Sequence, residues 1–292
     1  MLLDIQDLDV SFRTDEGEVV RAAVDVNLTL DRGEVLGLVG ESGSGKSSVA
    51  MSVARLLPSP PAFYPKGRVL FDGRDVLKMS LPELRAIRGR RIGVVFQDPI
   101  GSLSPLHRIG AQLVETIRLH ADLSGAAAKA MALDWLGKVG IPEPAVRAEA
   151  YPHELSGGMQ QRVMIAMALM LEPDLVIADE PTTALDVTVQ AQVLRLMRDL
   201  HRANSAVLLL THDLGVVSQM ATKLAVMKEG CVVETADDPA AFFAAPRHPY
   251  SQTLVREARR MELDSRDKRQ PTEDSRQRRD ERQGEQHANL RV

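Results

Sequence analysis

Gly40-Glu41-Ser42-Gly43-Ser44-Gly45-Lys46-Ser47 fits G-x-x-x-x-G-K-[ST], a phosphate-binding loop. Its flanks fit the context the motif requires. Glu34 to Val39 reads as a short buried strand before it, and Ser47 to Leu57 as a helix after it. A triphosphate carries several negative charges that water normally solvates. Glycines let backbone N–H groups turn inward and replace that water, and the helix N-terminus adds positive potential. Gly40, Ser42, Gly43 and Gly45 therefore form the cradle, Lys46 reaches the β- and γ-phosphates, and the Ser47 hydroxyl is placed to ligate Mg²⁺.

Leu175-Val176-Ile177-Ala178-Asp179-Glu180 is an apolar strand that ends in two acids. In a sheet built around a phosphate loop, such a strand delivers a carboxylate to the metal. Asp179 is the expected metal-side acid, and Glu180 then projects toward the γ-phosphate, where it can polarise an attacking water. Leu155-Ser156-Gly157-Gly158-Met159-Gln160-Gln161 is a second cradle: a capping serine and two glycines at a helix N-terminus.

The remaining pattern supports a sheet covered by helices on both faces. Residues 3–10 and 20–30 alternate apolar and polar and read as antiparallel strands around Asp15-Glu16-Gly17. Short strands are expected at Arg68–Phe71, Ile92–Phe96, Asp174–Ala178 and Ala206–Leu210, with a hairpin of Ala225–Met227 and Cys231–Glu234 around Lys228-Glu229-Gly230. Helical periodicity covers 158–171, 187–203 and 213–219. An alanine-rich helical insert runs from about 109 to 150, broken at Gly140-Ile141-Pro142. Strands alternating with helices argue for a mostly parallel α/β sheet.

Composition excludes several classes. The net charge of −4 over 292 residues provides no basic field for nucleic acid. One cysteine, Cys231, cannot build a disulfide framework, and it fits a reducing compartment. The start MLLDIQDLDV lacks the basic and apolar regions of a signal peptide. The longest apolar run, Val163 to Leu171, is about half of what a membrane span needs. From Arg259 to Val292 more than half the residues are charged, with both signs mixed. Such a tail cannot bury enough surface to offset its ordering entropy, so disorder, or at most a fraying helix, is expected there.

Two phosphate cradles in one chain, in this order, resemble the ATP-binding cassette (ABC) family. Other marks of that family are present. Gln97 follows the strand Ile92–Phe96, Ala184-Leu185-Asp186 matches the D-loop, and His212 follows the strand Ala206–Leu210 at the place of the switch histidine. Phe12 sits where the family stacks an aromatic on adenine; the alternative is a core phenylalanine on the first strand.

The resemblance covers about residues 1–257. It implies a P-loop NTPase fold of the ABC nucleotide-binding type: a mostly parallel core sheet, an antiparallel β subdomain and a helical subdomain at about 100–165. The segment 258–292 lies outside it. ATP and Mg²⁺ are implied as cofactors, with Ser48, Gln160 and Asp186 also near nucleotide, Gln97 also at the metal, and Lys46, Gln97, Glu180 and His212 serving hydrolysis. In this family Ser-Gly-Gly of one subunit closes on ATP held by another.

LSGGMQQR, the run from Gln97 to Pro105, Thr211-His212-Asp213-Leu214-Gly215-Val216-Val217 and His248-Pro249-Tyr250-Ser251-Gln252-Thr253-Leu254 look like the peptide and nickel importer branch. This similarity implies an ATPase subunit that couples hydrolysis to uptake of di- or oligopeptides. It would sit peripherally on the cytoplasmic face of the inner membrane. The implied partners are a second ATPase subunit (identical or different), two transmembrane permease subunits and an extracytoplasmic solute-binding protein. A nickel, glutathione or other small-solute importer is the nearest alternative. A soluble cassette ATPase of DNA repair or translation is the distant one; the usual coiled-coil or zinc inserts are not seen. Many relatives carry a cysteine-rich C-terminal segment suited to an iron–sulfur cluster. This tail has no cysteine, so no cluster is expected.

Overall fold

Strands that are apolar along almost their whole length are stable only when both faces are covered. Three segments meet that description in a computed structural model, which describes residues 1–182, 187–200 and 204–267. In chain order the strands are β1 (Leu3–Arg13), β2 (Val19–Leu30), β3 (Val35–Val39), β4 (Ala62–Phe63), β5 (Arg68–Phe71), β6 (Arg74–Asp75), β7 (Ile92–Val95), β8 (Leu175–Asp179), β9 (Ala206–Thr211), β10 (Lys223–Lys228) and β11 (Cys231–Ala236). The helices are α1 (Lys46–Val53), α2 (Leu81–Ile87), α3 (Pro99–Ser102), α4 (Ile109–His120), α5 (Gly125–Lys138), α6 (Pro144–Ala148), α7 (Gly157–Leu169), α8 (Val187–Leu200), α9 (Leu214–Met220), α10 (Pro239–Ala244) and α11 (Pro249–Asp267). Every residue of β3, β8 and β9 is buried.

The main sheet runs β11-β10-β3-β9-β8-β7. It is parallel from β10 to β7, and β11 closes the edge antiparallel to β10. A second, antiparallel sheet runs β2-β1-β5-β6, with β4 also pairing on β1. The alternation of side chains along β8 separates the two faces of the main sheet. Leu175 and Ile177 point into a core shared with α1 and the antiparallel sheet, including Val49, Val53, Ile5 and Phe71. Val176 and Ala178 point into the opposite core with Leu113, Ile117, Trp135 and Val163 of the helical region. A smaller core joins Val39 to Leu214, Val217, Phe242, Tyr250 and Val255, seating α9, α10 and the start of α11.

At the far end of the main sheet, Arg32, Asp72, Arg91 and Asp174 form a closed clasp. Arg91 donates to Asp72 and Asp174 at 2.7 Å each, and Arg32 donates to Asp174 at 2.9 Å. The clasp ties the turn after β5 to the residues preceding β3, β7 and β8.

Three expectations shift. The helix after the phosphate loop stops at Val53 rather than Leu57, because the chain turns at Arg55 with φ of 47°. The helix α2 was not anticipated, although Ser80 and Glu83 form a capping box with Pro82 in the first turn. The helix α11 continues to Asp267, past the expected boundary at 257. Residues 183–186, 201–203 and 268–292 lie outside the described residues, and with them Asp186 and most of the charged tail.

Candidate functional site

Parallel strands bring their C-terminal ends to one edge of a sheet, and ligands of open α/β sheets bind there. Here that edge collects the phosphate loop after β3, Gln97 beyond β7, Asp179 and Glu180 at the end of β8, and His212 after β9. Together they surround a cleft of about 540 Å³ lined by Glu41 to Ser48, Ala22, Gln97, Glu180 and His212.

Two glycines of the loop are required by shape. Gly40 and Gly45 have φ of 155° and 98°. A side chain on Gly40 would run into the carbonyl of Met227, and one on Gly45 into that of Ala22. The loop is therefore pressed against β2 and β10.

Lys46 opens α1, and its ammonium lies inside the loop. It donates to the carbonyls of Gly40 at 2.7 Å and Glu41 at 2.8 Å. Burial pushes its pKa down, against the carboxylates of Glu180, Asp179 and Glu41, which favour the charged form. The Ser47 hydroxyl donates to Asp179 at 3.1 Å. Burial also raises the Asp179 pKa; the Ser47 hydrogen bond and the Lys46 charge oppose the rise, and Glu180 adds to it. One buried carboxylate, one hydroxyl and a nearby amide suit a hard cation that takes its other ligands from phosphate oxygens and water. No cluster of three or more His, Cys, Asp or Glu exists among the described residues.

Glu180 sits at φ of 45°, which aims its side chain across the cleft. His212 Nδ1 lies 3.0 Å from Glu180 Oε1. The carboxylate is mostly buried, with 13% of the side chain exposed, while the imidazole is 55% exposed. This pair faces the phosphate loop across the cleft.

The structure does not bring every expected residue to this cleft. Phe12 is half-buried, packs against the core beneath the antiparallel sheet, and is not among the cleft-lining residues. Ser156 and Gly157 are exposed at the start of α7, away from the cleft. Ser156 caps the helix through the Met159 amide, and a Gly157 side chain would meet nothing. That open N-terminus with Gly158 can receive a ligand only from outside the chain's own cleft. Gln160 is buried, and its amide group donates to Pro152 and Leu155 carbonyls at 2.8 and 3.1 Å. It braces the cradle from behind instead of facing nucleotide.

Sequence reasoning missed two supports. Gln161 is buried and donates to the Pro181 carbonyl at 2.7 Å, joining the second cradle's helix to the turn after Glu180. Tyr250, 209 positions from the phosphate loop, contacts it directly. The doubled glutamine was visible as a signal for the first; Tyr250 stood in the run His248–Leu254 that carries the resemblance, but nothing local pointed to its contact with the loop.

Comparison with known proteins agrees with this geometry. The ABC transporter family profile matches residues 23–183. The chain is 49% identical over 255 residues to the oligopeptide transport ATP-binding protein OppD of Bacillus subtilis, covering 87% of this chain and 71% of that relative. It is 46% identical over 261 residues to the dipeptide transport ATP-binding protein DppD of Escherichia coli, covering 87% and 77%. Among solved structures, a dimeric post-hydrolysis state of the ATP-binding cassette MJ0796 bound to ADP and Pi is similar with a TM-score of 0.72. The identity is 29%, over 80% of this chain and 98% of that one.

Proposed function

The chain belongs to the ABC transporter family, and from that premise we propose that it is the ATP-hydrolysing subunit of a membrane importer for di- or oligopeptides. One observation carries the reading. The cleft holds the phosphate loop, Asp179 and the Glu180–His212 pair, while Ser156, Gly157 and Gly158 lie outside it. Each chain thus contributes one half to each of two composite sites, and a second ATPase subunit, identical or different, completes them.

In this reading Lys46 and the loop amides bind the β- and γ-phosphates. Ser47, Asp179 and Gln97 would hold Mg²⁺, which would shield the phosphate charge. Glu180 accepts a proton from the water that attacks the γ-phosphorus, and His212 orients the Glu180 carboxylate and the phosphoryl oxygens. The β–γ bond breaks, leaving ADP and phosphate. Asp186, outside the described residues, would lie at the subunit junction. Phe12 would reach adenine only if nucleotide extends past the cleft toward β1.

The work done by closure must leave the chain. No helix among the described residues is long and apolar enough to cross a membrane. Phe96, Ile100 and Leu106 are exposed at 40%, 69% and 81% beside Gln97. Exposed apolar side chains in this segment suit contact with permease subunits, which would hold the chain peripherally at the cytoplasmic face of the inner membrane. A solute-binding protein on the other side would supply cargo. The peptide assignment draws on what OppD and DppD are named for.

Replacing Ile100 and Leu106 by glutamate tests the reading in cells that express the permeases. Uptake of a labelled tripeptide should be lost, while ATP affinity of the purified chain stays unchanged. Persistent uptake would remove the mechanical link, and uptake of nickel alone by the wild type would move the cargo to a metal ion.

A further inference from the structure

The phosphate loop is gripped from behind by the C-terminal segment. Tyr250 is the second residue of α11, is 8% exposed, and packs in the small core with Val39, Leu214 and Phe242. Its phenol oxygen accepts the Glu41 backbone N–H at 3.1 Å. Glu41 is the second residue of the loop, and its carbonyl accepts from Lys46 at 2.8 Å. Lys46 also donates to the Gly40 carbonyl at 2.7 Å, so the Gly40–Glu41 peptide unit at the exit from β3 is held at its N–H by Tyr250 and at its C=O by Lys46.

The phenol is itself fixed. Glu234 on β11 accepts the backbone N–H groups of Arg247 and His248 at 2.9 and 2.8 Å, and the Tyr250 N–H donates to His248 Nδ1 at 3.2 Å. Lys228 places its ammonium 5.2 Å from the centre of the Tyr250 ring, on its face. The same hairpin supports the loop a second time, through the Gly230 N–H to the Ser44 carbonyl at 3.0 Å.

From these contacts we infer that Tyr250 is a positioning residue for ATP binding: its hydroxyl holds the phosphate loop in the cradling conformation before nucleotide arrives. The inference rests on the proposed role of residues 40–47 as the triphosphate site. Its physical basis is pre-organisation. A loop free to leave the cradling state binds with an affinity reduced by the fraction of time it spends there. One neutral hydrogen bond bounds that effect at about 3- to 10-fold in Kd. A residue that acts only before binding raises KM and leaves the rate at saturation alone.

Tyr250→Phe removes the acceptor and keeps the ring, so core packing and the Lys228 contact survive. The full-length chain is titrated with trinitrophenyl-ATP and displaced with ATP, alongside wild type and Lys46→Ala. Urea unfolding without nucleotide is measured on each. We expect Tyr250→Phe to bind ATP about 3- to 10-fold more weakly at an almost unchanged urea midpoint. In the assembled ATPase, KM for ATP should rise by the same factor with kcat unchanged. Wild-type affinity in Tyr250→Phe, with Lys46→Ala impaired, overturns the positioning role alone. Wild-type affinity in Lys46→Ala overturns the phosphate-loop reading on which the inference stands. A fall in kcat at saturating ATP without a change in KM also overturns the inference, because the hydroxyl would then act on the chemical step.

Discussion

Gly45→Ala should destabilise the nucleotide-free chain more than Gly43→Ala, although both glycines lie in one loop at positive φ. Their φ values are 98° and 80°. An L residue in that left-handed region costs about 1–2 kcal/mol, and both substitutions carry that cost. The surroundings separate them. A side chain at Gly43 meets nothing within 4 Å. At Gly45 it would sit well inside van der Waals distance of the Ala22 carbonyl oxygen, with Met227 Cε a further 3.3 Å neighbour. Ala22 is the extra residue at a register shift, but Arg21 and Ala23 on either side of it pair with Ser11 and Val10 of β1 and restrain it. The loop must move instead, by roughly an ångström to reach ordinary contact. Overpacking of this kind costs about 1–3 kcal/mol. Gly45→Ala should therefore lose ~2–5 kcal/mol in urea unfolding and Gly43→Ala ~1–2 kcal/mol. The displaced cradle should also weaken catalysis, since a 1 Å misplacement is worth on the order of 10²-fold. Equal urea midpoints for the two variants, or a Gly45→Ala protein with wild-type ATPase activity, would refute the packing argument.

Glu180→Gln keeps the side-chain shape but removes the base. Hydrolysis should fall by about 10²–10⁴-fold while ATP binding persists, and sedimentation in ATP and Mg²⁺ should show a stable dimer; near wild-type turnover would remove Glu180 from the role of base. Asp174 tests the clasp through pH. Burial raises its pKa, but the hydrogen bonds and charges of Arg32 and Arg91 outweigh that and hold it below the usual carboxylate value. Its stabilisation is present above the unfolded value near pH 4 and is lost as pH falls through the lower folded value. Asp174→Asn should cost about 1–3 kcal/mol at pH 7, and the gap to wild type should close in more acid solution. A gap that is independent of pH would mean the carboxylate charge is not what the arginines hold.

Residues 40–47, 155–161 and 175–180 could be read from sequence because each is a short contiguous run whose chemistry depends on local backbone geometry. Glycine, lysine and serine at fixed spacing dictate a cradle wherever the chain places it. The parallel sheet was readable for a related reason: β3, β8 and β9 are apolar up to their last residues, Asp179 ending β8 and Thr211 ending β9, and only burial on both faces stabilises such strands. From these followed a mostly parallel sheet, a phosphate-bearing ligand and two carboxylates at the sheet edge; the cassette fold with its two subdomains came from the family resemblance. The capping box at Ser80 and Glu83 is just as local a signal for α2.

Other features depend on which distant surfaces meet, and local patterns hold no information about that. Gln160 looks polar and available in the sequence, but packing turns it inward to brace the Pro152–Leu155 turn. Phe12 is an aromatic at the expected strand position, but register places it against the core and off the cleft. The charged composition after Arg259 argued for disorder or at most a fraying helix, and α11 runs to Asp267 from first turns anchored by Tyr250 and Val255. The Glu180–His212 contact at 3.0 Å, and the 209-residue step from Tyr250 to Glu41, exist only because parallel strands and the final helix converge on one edge. Sequence determined which groups are capable of binding and hydrolysing a nucleotide. Tertiary packing decided which of them face the same cleft and which stand outside it.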